Sequence, residues 1–369
     1  MVTVRRPAVA GLFYPHDAQE CRASVRECLD FARQNSCALP TPPRAIIAPH
    51  AGYVYSGLVA GLAYRQLEPL RGRVTRAVVM GPAHRVPVRG IARSEADAMA
   101  TPLGVMSVVR EVEEEAARYL PQLVPDSLVH AQEHSVEVHL PFLQEVLGDI
   151  EIIPLVAGDV SIDDVAAVWD AFWGDEETVL VASSDLSHYH PYDEARRIDE
   201  GTVAQILEGD CAINHFQACG ATPMNGLLLA AQRRGLVPRL LGMCNSGDVA
   251  PDRSRVVGYA AFALVGDEDD GVVADGNVSV RDATMAVPDA TVAVPDANVP
   301  VRDARISTPS SGEDAATSVH GGGDGTTPSA PGGGDDSSFP KDTESDTPRR
   351  GPARPAPSLC RNTEGENND

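Results

Sequence analysis

The chain has 369 residues, a formal net charge of -23 and 43% hydrophobic residues. A surface so rich in carboxylates repels phosphate backbones and anionic lipid, which argues against nucleic acid and membranes as partners. Lys341 is the sole lysine among 30 cationic side chains, and an acidic, lysine-poor surface is what a halophilic protein needs to stay hydrated in concentrated salt.

The opening segment RPAVAGLFYP is extended and punctuated by Gly and Pro. Asp17 with Glu20 forms a capping box for a helix through about Ala32, with Cys21 and Cys28 on one face as small core hydrophobes. Strand AIIA (45–48) is followed by the loop PHAGYVYSG and a helix from Ser56 to about Leu67. Strand RAVVMG (76–81) delivers His84, and VREVEEEAARYL is a solvated helix. HAQEHSVEVHLPFLQEVLG turns helical from about Ser135, EIIPLVAG is a strand, and Ser161 with Asp164 caps an amphipathic helix ending near Phe172. TVLVASSD is a strand presenting Asp185, ARRIDEGTVAQIL and GATPMNGLLLAAQRRG are helices, and VPRLLGMC and VVGYAAFALVG are closing strands.

Apolar runs without helical period read as strands buried on both faces. Their alternation with helices predicts an α/β fold, one layered domain over 1–267. The segment 268–369 carries 19 acidic and 8 basic residues and a seven-residue repeat: VRDAT, VPDAT, VPDAN, VRDAR. Proline or aspartate recurs in every unit, so neither a coiled coil nor a core is available, and the segment reads as a disordered acidic tail. Seven cysteines without a CxxC pair make no disulfide framework. Pro7, Pro15 and Asp17 interrupt any secretory leader. No apolar run approaches a membrane span, so the expected location is the cytoplasm.

Three strand ends carry chemistry. AIIAPHAGYVYSG leads to His50, VVMGPAH to His84, and VLVASSDLSHY to Asp185 and His188. Ligands of α/β proteins sit outside the carboxyl ends of the strands, so these side chains should converge on one rim. Neutral imidazole is a common ligand for iron, copper and zinc. Asp185 and His188 face one site if the turn after Ser184 is helical. Cys219, in ACGATPM, precedes a helix near Ala221, where the helix dipole would lower a thiol's pKa. His134 stands at a helix entrance and is a further pocket candidate. His16, His130, His190, His215 and His320 lack supporting context.

The motifs PAVAGLFYP, APHAGYVYSG, GPAH, EHSVEVHLPFL, SSDLSHY and ACGATPM, in this order, resemble those of the Memo family, whose archaeal members are often labelled AmmeMemoRadiSam system protein B. The resemblance spans roughly the first 265 residues. It implies a central mixed sheet flanked by helices, as in the class III extradiol (LigB-type) dioxygenases. It implies His50, His84 and Cys219 as metal ligands, with Asp185, His188 and His134 as the remaining pocket residues, and iron (Fe2+) or copper as the metal. It also suggests AMMECR1-like and radical SAM proteins as partners. Those dioxygenases bind iron through two histidines and a carboxylate, and Cys219 stands here in the place of the carboxylate. Thiolate favours softer metals and redox change.

Four functions stay open on these residues. One is a metal protein with a His/His/Cys pocket. A second is an iron-dependent dioxygenase in which His188 or His134 serves as acid–base. A third is a metal-free enzyme with Cys219 as nucleophile and His188 as base. The fourth is a binding module, and the acidic surface disfavours phosphopeptides for it unless arginines line the mouth.

Overall fold

Hydrophobic runs that alternate between two faces account for the architecture of the computed structural model, which describes residues 2–174 and 176–266. In chain order the first half comprises β1 (Val4–Arg5), α1 (Ala18–Asn35), β2 (Ala45–Ala48), α2 (Tyr53–Arg65), β3 (Arg76–Pro82), β4 (Ile91–Arg93), β5 (Ala98–Thr101), β6 (Gly104–Ser107), α3 (Arg110–Ala117), β7 (Leu123–Pro125) and α4 (Ser127–Ala131). The second half comprises α5 (Leu140–Leu147), β8 (Glu151–Ala157), α6 (Ile162–Phe172), β9 (Thr178–Ser183), β10 (His188–His190), α7 (Tyr192–Leu207), α8 (Ala221–Gln232), β11 (Leu236–Asn245), α9 (Ser246–Val249) and β12 (Val256–Gly266).

The main sheet is mixed, in the order β10-β12-β2-β9-β3-β8-β4-β7, with β11 also paired to β12; β1, β5 and β6 form a small second sheet. Strands β2, β9, β3 and β8 run parallel. Within β3, Ala77 and Val79 pack into a core shared with α1, α2 and α5. Val78 and Met80 pack oppositely, into a core shared with α6 and α8. Successive strand side chains point to opposite faces, so burying both produces the unbroken apolar runs of the sequence. The result is a sheet between two helical layers. Among the described residues, no helix is long and apolar enough to cross a membrane.

Register sets the site. Ala48 pairs with Ser183, and Met80 with Ala182, so β2, β9 and β3 end level with one another. Antiparallel β12 sets Phe262 opposite Ile47 and so begins at this same edge, contributing Val257 and Tyr259 to it.

Several local expectations are corrected. Helix α2 starts at Tyr53 rather than Ser56, because the Tyr53 amide is held by the Phe13 carbonyl and the Tyr53 hydroxyl by the Val138 carbonyl. The segment after His134 is not helical from Ser135. The Glu133 carboxylate captures the His134 and Ser135 amides, leaving one 3-10 turn at Glu137–His139 before α5 begins. The stretch from Ser184 to Ser187 is not helical either, since Asp199 takes the Ser187 amide and Gly258 exchanges backbone bonds with Leu186 and Ser187. The repeat and the acidic tail lie outside the described residues.

Helix α3 is not solvated all round. Glu113 is fully buried, and neither of its carboxyl oxygens has a hydrogen-bond partner among the described residues. Burial raises its pKa to about 8 against the pull of Arg93 and Arg110. A folded-state value above the unfolded one means that its contribution is full below the ordinary carboxyl value of 4.5 and is lost as pH climbs to about 8. Glu113→Gln should therefore flatten the pH dependence of stability across this window. At pH 8 it should be the more stable protein by up to a few kcal/mol, on the scale of about 1.4 kcal/mol per pKa unit. Urea denaturation at pH 5 and pH 8 measures this; a variant weaker than wild type at both values would mean that Glu113 is ionised and paired.

Candidate metal centre

His50 lies just past β2, His84 just past β3, and Asp185 just past β9, so three strand ends deliver them to one edge. Cys219 arrives on the loop into α8. Gly220 makes this approach feasible: a Cβ there would overlap the Ser183 carbonyl oxygen and come within 2.6 Å of Ser184 Cβ. The Gly220 amide instead donates to Ser184 Oγ at 3.0 Å. Gly81 does the same for the segment after β7, since a Cβ there would meet Ser135. Small residues in GPAH and ACGATPM are thus a packing requirement of the site.

One donor atom each from His50, His84 and Cys219 lie within 4.8 Å of one another. Cys219 Sγ is 3.3 Å from His50 Nε2, about the separation of two donors that share one ion at bond lengths of ~2.0–2.3 Å. His50 Nδ1 is turned away, 2.6 Å from Ser183 Oγ. His84 Nδ1 is likewise turned away, 2.9 Å from Glu133 Oε1. Both rings therefore direct Nε2 inward. Asp185 Oδ1 accepts the His50 amide at 2.8 Å, and its Oδ2 is 3.9 Å from His50 Nε2.

The rings of His50, His84 and His134 form a cluster, His84 stacking on His134 with centroids 4.6 Å apart. Phe13 covers His134 at 4.8 Å. The opening segment is held there by Glu137, a fully buried carboxylate that binds Arg5, the Ala8 and Val9 amides, and the Tyr14 hydroxyl. His188 donates from Nδ1 to the Leu186 carbonyl at 2.8 Å; a carbonyl only accepts, so Nε2 is left bare.

Burial dominates the electrostatics. It lowers His50 well below the ordinary imidazole range and His134 to about 3, with the His84 charge acting in the same direction. It lowers His188 as well, opposed by the Leu186 hydrogen bond. Asp185 rises to about 7 by burial, opposed by the His50 amide. His84 is the exception. Burial disfavours its charge, but hydrogen bonds to Cys219 and Glu133 outweigh that and raise it to about 10. Glu133 correspondingly falls to about 2, His84 overcoming its burial. The expectation of a low thiol pKa at Cys219 fails: burial raises it and outweighs the His84 hydrogen bond, so a half-buried position counts for more than a helix N-terminus.

The three clustered histidines, Asp185, His188 and Cys219 line a cavity of ≈ 690 Å³ together with Tyr55, Tyr189, Phe216 and Arg255. Tyr189 has a left-handed backbone, φ 62°, at the irregularity in the β10–β12 pairing, and its ring lies under the Arg255 guanidinium at 4.8 Å. A profile for the family described as Memo-like protein matches residues 5–263. The chain belongs to the Memo family. A curated MEMO1 family protein of Methanopyrus kandleri is 34% identical over 283 residues, 70% of this chain and 98% of its own. One from Aquifex aeolicus is 35% identical over 71% of this chain and 99% of its own. An uncharacterized protein of Escherichia coli K12, known from a crystal structure, covers 60% of this chain and 99% of its own at a TM-score of 0.41 and 15% identity; that likeness is too loose to carry an argument.

In this Memo chain, His50, His84, Cys219, Asp185, His188 and His134 all line the one cavity. His190 and His215, which lack context in the sequence, line it as well. Sequence reasoning also missed Glu133 and Ser183, and His139 of EHSVEVHLP stood behind His134 as the lesser candidate. The clue to Glu133 was its place beside His134 in QEHS, since histidine ligands usually donate their second nitrogen to a carboxylate or carbonyl.

Proposed function

We propose that this Memo-family chain binds a transition-metal ion between His50 Nε2, His84 Nε2 and Cys219 Sγ, with iron first and copper second, and uses the site in redox chemistry on a ligand held in the cavity. The convergence of those three donors is the observation that carries this reading. The donor chemistry fits: two imidazoles and a thiolate suit borderline and soft metals. The surroundings fit too, because Glu133 orients His84 as carboxylates do behind metal-bound histidines. Protons now held by Cys219 and His84 would leave as an ion enters. An ion held by His50, His84 and Cys219 would supply electron transfer and Lewis acidity toward a ligand in the cavity. His188, neutral and with Nε2 bare, can accept a proton from a bound ligand. His134, at about 3, is too weak a base for this and instead packs against His84.

A second reading rests on Asp185, whose Oδ2 is 3.9 Å from His50 Nε2. If Asp185 rather than Cys219 completed the ligand set, the site would be of the two-histidine, one-carboxylate type used by iron oxygenases. The test of the leading reading is elemental analysis after anaerobic purification, with titration of the metal-free protein by Fe(II) and Cu(I). About one equivalent of iron per chain is expected. No binding of either metal would leave the cavity as a metal-free ligand site.

A further inference from the structure

The Ser183 hydroxyl lies at the junction of three groups behind the site. It is 2.6 Å from His50 Nδ1, 2.8 Å from His139 Nε2 and 2.6 Å from the Ser135 carbonyl oxygen. His139 Nδ1 is in turn 2.8 Å from the Tyr64 hydroxyl. Ser183, Ser135, His139 and Tyr64 are all at most 1% exposed, so bulk solvent does not reach them.

A serine hydroxyl has one proton to give and two lone pairs to offer. The Ser135 carbonyl can only accept, so it takes that proton. Ser183 Oγ must then accept from both rings: His50 carries its proton on Nδ1, and His139 carries its own on Nε2. His139 Nδ1 is left as an acceptor, which the Tyr64 hydroxyl satisfies. Every donor meets an acceptor in this one arrangement. Reversing any member leaves the Ser135 carbonyl unpaired or sets two protons or two lone pairs against each other, a costly outcome in a buried network.

We propose that Ser183, backed by the Ser135 carbonyl and the His139–Tyr64 pair, is a positioning residue that locks His50 into the Nδ1–H tautomer, so that Nε2 always faces Cys219 as an acceptor. The lock exists in the metal-free chain, and only its consequence for affinity rests on the metal reading above. It makes His50 unlike His84, whose Nδ1 faces a carboxylate, Glu133, at 2.9 Å. One ring is thus backed by a neutral network and the other by a carboxylate. Without Ser183, His50 is free to move its proton to Nε2 and donate toward Cys219 or Asp185, which hides the nitrogen a metal needs.

The test uses metal-free full-length protein with 15N-labelled histidine, resonances being assigned by single replacements, together with Co(II) titration followed by the thiolate charge-transfer band. In wild type the His50 signals should show a protonated Nδ1 and a bare Nε2. Ser183→Ala should turn this into a mixture or the opposite tautomer and weaken Co(II) binding about 10- to 100-fold, the range seen when groups behind a metal ligand are removed. His139→Gln, which keeps a donor to Ser183, should stay near wild type, whereas His139→Leu should move toward Ser183→Ala; this pair also guards against a Ser183 variant that fails to fold. A protonated Nε2 in wild-type His50, or tautomer and Co(II) affinity unchanged in both Ser183→Ala and His139→Leu, overturns the lock. Tautomers that shift as expected in a protein that binds no Co(II) support the lock and sink the metal reading instead.

Discussion

Cys219→Ser is expected to weaken binding of Fe(II) or Cu(I) by more than ~100-fold, a larger loss than removing a group behind a ligand causes. A serine hydroxyl remains protonated at neutral pH and is a poor donor to metal, whereas the thiol ionises when an ion displaces its proton. Asp185→Asn should cost less than ~10-fold, because the amide oxygen can still accept the His50 backbone N–H that Asp185 now holds at 2.8 Å. Cys219→Asp or Cys219→Glu would offer iron the carboxylate set of the ring-cleaving oxygenases and should retain Fe(II) while losing Cu(I), a selectivity that follows ligand softness. Isothermal titration of anaerobic, metal-free protein measures all of these. If Cys219→Ser holds metal as wild type does and Asp185→Asn does not, the carboxylate is the third ligand and the oxygenase reading takes over.

What the sequence disclosed and what it hid divide along a physical line. The strands ending at Ala48, Pro82 and Ser183 were legible because burial on both faces leaves unbroken apolar runs. Their polar ends were legible because Pro, Gly or Ser stops each run beside a histidine or aspartate. The partners behind those histidines were not legible. Ser183 and His139 reach their positions through pairings set by sheet register and by the fold of the segment after β7, which no local pattern encodes; Glu133 left a clue in standing beside His134, but none to its pairing with His84, 49 residues away. Cys219 was placed correctly before α8 but misjudged in its chemistry: its helix position argued for a low pKa, while tertiary burial, invisible in the sequence, raises it. His190 and His215 were set aside for want of neighbours, and the neighbours turned out to be distant in sequence. Glu113 makes the same point away from the site. Its charged surroundings in REVEEEAA read as solvated, and only the packing of α3 shows that it is buried.

Gly220→Ala should damage the site without removing any donor. Gly220 has φ -88° and ψ 26°, an ordinary backbone for any residue, so the expected effect is one of space alone. The added methyl would overlap the Ser183 carbonyl oxygen and meet Ser184 Cβ at 2.6 Å and Ser184 Oγ at 2.8 Å. The Ser183 carbonyl is backbone and Ser184 Cβ is fixed to it, so neither can rotate away as the end of a long side chain would, and the loop carrying Cys219 and the first turn of α8 must withdraw from β9. Forced overpacking of this kind costs about 1–3 kcal/mol, sometimes more. The withdrawal also moves Cys219 Sγ out of its 3.3 Å contact with His50 Nε2, so metal affinity should fall together with stability even though His50, His84 and Cys219 are all present. Gly201→Ala is the matched control: a Cβ there meets nothing within 4 Å, and in the interior of α7 alanine should be neutral or stabilising by roughly 0.5–1 kcal/mol. Urea midpoints and Co(II) titrations of the two variants separate the outcomes. A Gly220→Ala protein with wild-type stability and wild-type affinity would mean that Cys219 does not approach β9 as closely as the fold places it, and the thiolate would lose its claim as a ligand.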